Sequence, residues 1–177
     1  MVAFLGALAL AFAGAAAAGP QIGFAEDATK YADDGGARLF DEMNTIQTTT
    51  NRVAVFWNAD QPAVIQDQSF LDRMIPVAQA HQIQVVFAVY PLKATMAPTN
   101  QAAADTFCDY AVKVMQRYRY VKKVIIGNEP NQPKFWQPSW NGQTHASPAQ
   151  REVVLARCNY KLKVVDWWGD VVGVGLP

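Results

Sequence analysis

Residues 121–131 read VKKVIIGNEPN. Val124, Ile125 and Ile126 form a short β-branched run, suited to a strand buried on both faces. Gly127 is expected to let the backbone pass close to a neighbour. Asn128 and Glu129 are polar groups set where that strand ends. Pro130 biases Glu129 towards an extended conformation and offers no N–H for further pairing. The expected product is an amide and a carboxylate held on a stiff strand tip. The plainer reading is a buried strand followed by an ordinary polar turn, so the rest of the chain must decide.

Working outward, the same kind of element recurs. Gln21–Ala25 is a short apolar strand candidate closed by Glu26 and Asp27, which read as a turn. Asp33, Asp34, Gly35 and Gly36 form a turn leading into a helix marked by Leu39, Phe40, Met43 and Ile46. Arg52–Trp57 (RVAVFW) is strongly β-prone. A second helix spans about Asp67–Ala80, with Pro76 expected to kink it or open a turn. Ile83–Tyr90 is the next strand, stopped by Pro91. Phe107, Tyr110, Ala111, Val114, Met115 and Tyr118 recur at three and four, the clearest helical pattern in the chain. After the strand of residues 124–126 comes a long loop, Gln132–Ser147. Ser147-Pro148 then starts a fourth helix, and Val171–Leu176 begins a fifth strand.

Strand and helix thus alternate four times, with apolar strands and amphipathic helices. That is the signature of a parallel sheet built from βαβ units. Two architectures fit: an open doubly wound sheet, or the first half of an eight-fold barrel. No Gly-rich phosphate loop follows the first strand, which weighs against a dinucleotide-binding sheet. The expected class is α/β, a partial (β/α)8 TIM barrel of about strands 1–5 with four helices, truncated at its C-terminal side.

Composition narrows the function classes. The 177 residues are roughly one domain's worth, and 51% are hydrophobic, enough for a core. The formal net charge is zero, so nothing argues for a nucleic acid or acidic membrane partner. Residues 1–19 are apolar, Ala-rich and uncharged, and Ala16-Ala17-Ala18 offers a small-residue cleavage site. They read as a secretory signal peptide, or as a retained anchor, although no Lys or Arg precedes the apolar run. The domain proper is then 20–177, and the protein is expected to be secreted. Cys108 and Cys158 lie on consecutive helices and are either a disulfide or two buried thiols. His81 and His145 stand alone, and no Cys/His cluster has metal-ligand spacing.

Several of these details converge on one family. The chain resembles the N-terminal half of a secreted (β/α)8 glycoside hydrolase of the large cellulase-like clan, which includes cellulases, mannanases and β-xylosidases. In that clan the fourth strand ends in Asn-Glu-Pro, matched here by Asn128, Glu129 and Pro130 on the fourth strand counted. The second strand often opens with an Arg ahead of an apolar run ending in Trp, matched by Arg52 and Trp57. The resemblance covers about Gly23 to the end of the chain. It implies that Glu129 is the general acid/base and that Asn128 hydrogen-bonds a sugar hydroxyl. Arg52 would hydrogen-bond the nucleophile; the plainer reading is a surface charge at a strand entrance. It implies no cofactor, since both carboxylates act without a metal, and a carbohydrate substrate as partner, with no stable membrane partner beyond export and the oligomeric state left open.

The clan's nucleophile Glu ends the seventh strand, and no residue here maps to it. A retaining glycosidase needs two carboxyl groups about 5–5.5 Å apart, so this chain is expected to be inactive alone. Trp57, Trp136 and Trp140 are candidate sugar platforms, because aromatic faces stack on pyranose C–H groups; each could instead be packing. Tyr90 ends the third strand and either lines the same cleft or caps the core. Trp167 and Trp168 follow a helix and read as packing. The alternatives to an enzyme are a non-catalytic carbohydrate-binding module on the same fold and a non-functional gene fragment.

Overall fold

The computed structural model describes residues 22–173. The leader reading of residues 1–19 and the last residues of the fifth strand lie outside them. Four parallel strands come first: β1 (Gly23–Ala25), β2 (Thr50–Trp57), β3 (Gln84–Pro91) and β4 (Lys123–Ile126). A two-stranded hairpin, β5 (Trp140–Asn141) and β6 (Thr144–His145), interrupts the alternation. β7 (Asp170–Val172) returns to the sheet, whose order is β1-β2-β3-β4-β7 with every pairing parallel. The helices are α1 (Ala28–Tyr31), α2 (Ala37–Thr45), α3 (Gln68–Ala80), α4 (Gln101–Arg117) and α5 (Ser147–Val164), with a 3-10 turn at Ala94–Met96. The expected partial barrel of five strands is therefore the observed architecture. The order follows from connection physics: each crossover helix returns the chain beside the strand it left.

Among the described residues five α-helices stand where four were expected. The extra one, α1, is a single turn of four residues, too short to show any periodicity. α3 runs unbroken through Pro76, where a kink or an opened turn was expected. Pro76 lies on the exposed side of that helix, so the carbonyl it leaves without an amide partner faces water.

The sheet has two faces, and strand alternation assigns them. Val53, Val55 and Trp57 of β2, Val85, Phe87 and Val89 of β3, and Val124 and Ile126 of β4 are all buried. Trp57 packs edge-on against Phe107 of α4, and Phe87 against Tyr118. This parity therefore faces the helices. Arg52, Ala54, Phe56, Val86, Ala88, Tyr90, Lys123 and Ile125 point to the other, inner face. Register puts Ala54 beside Ala88 and Phe56 beside Tyr90 on that face.

The helix layer is tied together by covalent and ionic links. Cys108 and Cys158 form a disulfide between α4 and α5 across 50 residues of sequence, which decides between the two readings of the pair. Arg157 and Lys161 of α5 pair with Asp105 of α4, and Lys161 also pairs with Asp109. Arg117 of α4 pairs with Asp72 of α3, whose carboxylate also accepts from the Tyr118 hydroxyl. Asn100 caps α4, accepting from Ala103 N at 3.0 Å. Among the described residues, no helix is long and apolar enough to cross a membrane.

The 50-residue loop closed by the disulfide corresponds to roughly 4 kcal/mol of lost unfolded-state entropy. Cys108→Ser/Cys158→Ser should therefore unfold at a clearly lower guanidinium midpoint than the parent.

The ion pairs give a pH dependence. The Arg117 guanidinium holds the Asp72 carboxyl below the usual carboxylate range, and Arg157 does the same for Asp105. A depressed carboxylate adds stability that is full above its unfolded value and fades as pH falls towards its folded one. Stability should thus decline below about pH 4, and Asp72→Asn should flatten that decline in acid titrations followed by circular dichroism.

Candidate active site

Four strand ends meet at one rim. β1 runs into Glu26 and Asp27, β2 ends at Trp57, β3 at Pro91, and β4 runs into Gly127, Asn128 and Glu129. Pairing persists to this edge: Leu92 N donates to Trp57 O at 2.8 Å, and Gly127 N to Val89 O at 2.8 Å.

Beyond Ile126 the backbone turns sharply. Gly127 has φ +88° and Glu129 φ +35°. Glycine accepts that region freely, which gives a conformational reason for Gly127. For glutamate it costs on the order of 1–3 kcal/mol. The extended Glu129 expected from Pro130 is thus corrected. The turn that follows, closed by Gln132 N to Glu129 O at 2.8 Å and Trp136 N to Gln132 O at 3.1 Å, outweighs the preference imposed by proline.

Arg52 pairs in register with Val86, several residues short of the rim. Its side chain covers the remaining distance along the inner face, and Nη2 donates to Asn128 Oδ1 at 2.7 Å. Half-buried and bonded, it is not a surface charge at a strand entrance. A guanidinium can only donate, so this bond fixes which end of the Asn128 amide is oxygen. Nδ2 is left as the end that can donate to another molecule.

Tyr90 is half-buried on the same face, edge-on to Phe56 at 5.1 Å and to Phe135 at 6.1 Å. Burial raises its phenol pKa, and the Asp27 carboxylate raises it further. The Arg52 charge opposes this, while Tyr31 and Glu129 add smaller upward effects. One phenol thus senses Asp27, Tyr31, Arg52 and Glu129 together. Glu26 is held in the local turn read from the sequence, its Oε1 accepting from Ala28 N at 2.7 Å, whereas Asp27 reaches across to β2, its Oδ1 accepting from Ala54 N at 2.8 Å.

Lys30 was not singled out in the sequence. It is fully buried, donating to Ala54 O at 2.9 Å and to Asp67 Oδ2 at 2.8 Å, with the Tyr31 and Phe56 rings 4.6 and 5.1 Å away. A buried ammonium persists only with such partners. It ties α1, β2 and the start of α3 together beneath the rim. Nothing in a short polar stretch between elements signals this role.

The tryptophans divide. Trp57 is 2% exposed and Trp136 1% exposed, so neither offers a face to a sugar. Trp57 shares the helix-facing parity of β2. Trp136 closes the loop onto the fold, its Nε1 donating to Gln150 Oε1 at 2.8 Å. Trp140 is 55% exposed on the hairpin, with its ring 4.6 Å from that of His145. Trp167 is buried as expected, whereas Trp168, also read as packing, is 79% exposed. Among the described residues, no group of three or more His, Cys, Asp or Glu could hold a metal ion.

No family model matches the sequence, and no curated protein matches it. Solved structures do match the fold. The chain is similar to a beta-glucosidase from Exiguobacterium marinum (TM-score 0.58, 16% identity, covering 78% of this chain and 36% of that one). It is similar to a family 39 glycoside hydrolase from the gut symbiont Bacteroides cellulosilyticus WH2 (TM-score 0.55, 12% identity, 78% and 29%). A third is the virulence factor SghA from Agrobacterium tumefaciens (TM-score 0.53, 18% identity, 79% and 35%). The chain spans from 29% to 36% of the length of these structures. At such identities the likeness shows a common fold, one that glycoside hydrolases use.

The Tyr90 phenol should stay neutral past the ordinary tyrosine range near pH 10, and Asp27→Asn should bring it part of the way back. Absorbance titration of the parent and the Asp27→Asn protein, each minus its Tyr90→Phe counterpart, reads both effects.

Proposed function

We propose that the chain carries the acid/base half of a retaining glycoside hydrolase acting on a β-linked poly- or oligosaccharide. The observation that carries this reading is the Arg52 Nη2–Asn128 Oδ1 bond of 2.7 Å, which orients an amide beside Glu129 at the carboxyl ends of parallel strands. In α/β barrels that end is where chemistry is done. Glu129 protonates the glycosidic oxygen as the bond to the anomeric carbon breaks, and the bonding pair leaves with that oxygen. A second carboxylate attacks the same carbon. Glu129, now ionised, then takes a proton from the water that releases the sugar. No residue of β1–β4 or β7 corresponds to that nucleophile, and in this reading it belongs to polypeptide outside the sequence.

Asn128 Nδ2 donates to the hydroxyl next to the reacting carbon. Arg52 acts through Asn128 as a positioning residue, a different role from the contact with the nucleophile that resemblance implied. Tyr90 lines the cleft beside it. Residues 1–19 act as an export leader in this reading, and the disulfide suits an oxidising, extracellular compartment. The competing reading, a non-catalytic sugar-binding module, rests on Trp140, because Trp57 and Trp136 have no free face.

The purified chain should show no steady hydrolysis of aryl β-glucosides, β-mannosides or β-xylosides. Turnover that survives Glu129→Gln would sink the assignment of Glu129. Turnover abolished by Glu129→Gln would keep Glu129 and overturn the requirement for a nucleophile from elsewhere.

A further inference from the structure

The other end of β4 from Glu129 carries a second polar cluster, which the proposed function does not use. α4 ends at Arg117, and residues 117–123 read RYRYVKK on the way into β4. Arg117 is paired with Asp72. Arg119 and Lys122 are exposed, and among the described residues neither side chain has an ion-pair or hydrogen-bond partner. Both line a cleft of about 190 Å³ between the end of α4 and the segment joining α5 to β7. That space equals about six water molecules of liquid volume, room for a small ligand. Val165, Trp167 and Trp168 of the joining segment form its other side.

Trp167 is 5% exposed, and its Nε1 is buried without a partner. An indole N–H can only donate, and a buried donor left alone calls for an explanation. The ring is held in place. A Cβ at Gly169 would collide with it, so glycine lets the indole lie directly against the backbone. The Lys163 ammonium stands 6.0 Å from the ring centroid and donates to Gly169 O at 3.1 Å. An orphan donor and two unpaired cations therefore share one fixed cleft.

Basic side chains at helix C-termini can serve merely to answer the last carbonyls. Here backbone amides already do so: Val114 O accepts from Tyr118 N, Leu162 O from Trp167 N, and Lys163 O from Asp166 N. The acidic group in the lining is Asp166, a single carboxylate facing the charges of Arg119 and Lys122, with Lys163 beside Trp167. The apolar contribution comes from Val165 and from Trp168, which is 79% exposed.

We propose that this cleft binds a small ligand in which a phosphate or carboxylate oxyanion is carried on an apolar body. Arg119 and Lys122 hold the oxyanion through charge-assisted bonds. Trp167 Nε1 donates to one of its oxygens, and Trp168 covers the apolar part. The site is independent of the proposed glycosidase chemistry, and either can fail without the other.

The test is calorimetry on the 177-residue chain with phenyl phosphate, benzoate, inorganic phosphate and uncharged benzamide, joined to NMR of the tryptophan indole protons. Phenyl phosphate or benzoate should bind once per chain, at least fivefold more tightly than inorganic phosphate, and more weakly as salt is raised. Benzamide should not bind. The Trp167 indole resonance, identified by its loss in Trp167→Phe, should move on binding. Arg119→Ala/Lys122→Ala should weaken binding at least tenfold, whereas Arg38→Ala on α2 should leave it unchanged. These three side chains are exposed, and unchanged circular dichroism verifies folding. Phosphatidylcholine vesicles containing phosphatidic acid distinguish the source of the oxyanion. Vesicle binding lost in the double variant assigns the site to a lipid headgroup, and phenyl phosphate binding without vesicle binding assigns it to a soluble ligand. No saturable binding of any probe, binding that survives the double variant, or binding that leaves the Trp167 proton unmoved overturns the site.

Discussion

The structure depends on parallel register. Because β2, β3 and β4 are aligned residue by residue, their carboxyl ends finish at one level, and groups 76 positions apart in sequence come within one hydrogen bond. Arg52 starts well below the rim, so only a long side chain on an inner-face position could make this contact. A slip of one residue in β2 would turn Arg52 into the helix layer and bring Val53 inward. The rim chemistry therefore inherits its accuracy from backbone pairing and from the apolar parity that locks it.

The helix side protects that pairing. Trp57, Phe87, Phe107 and Tyr118 pack edge to face between sheet and helices, and the disulfide fastens α4 to α5. Lys30 does the comparable job near the mouth, where an ammonium with a carbonyl and a carboxylate joins α1, β2 and the start of α3, beside the edge-on contact of Tyr31 with Phe70. The mouth is therefore held by polar bonds together with aromatic contacts, Tyr90 with Phe56 and Phe135 on the inner face and Trp57 with Phe107 on the helix side. Polar groups gather there over a core that is already packed.

Much of this was legible in the chain. β-branched runs at 53–55, 85–89 and 124–126 identified the strands, and the spacing of Phe107, Ala111, Val114 and Tyr118 identified α4. Their alternation gave the parallel sheet, and the place of Asn128 and Glu129 at a strand tip followed. Less could be read where the signal was local or ambiguous. α1 has too few residues for a period. Trp57 reads as a sugar platform from the sequence because a strand apolar on both faces hides its parity, although it shares that parity with buried Val53 and Val55. Trp136 and Trp140 are four residues apart with the same composition around them, and only the hairpin separates the buried one from the exposed one. The positive φ of Glu129 was missed because the neighbouring proline predicts otherwise, and the turn that overrides it is closed by residues beyond that proline. The partner of Arg52 is a long-range fact that no local pattern encodes.

One feature of the sheet has a practical side. Its outer strands, β1 and β7, each have a single neighbour among the described residues. Beside them stand Ile22 and Phe24 at one margin and Val164 and Trp168 at the other, all substantially exposed. Such borders behave like wet adhesive tape: they hold whichever extended segment arrives first, including one from another molecule. Dilution, or a soluble fusion partner, therefore sets the yield of dispersed molecules more than the robustness of the interior does.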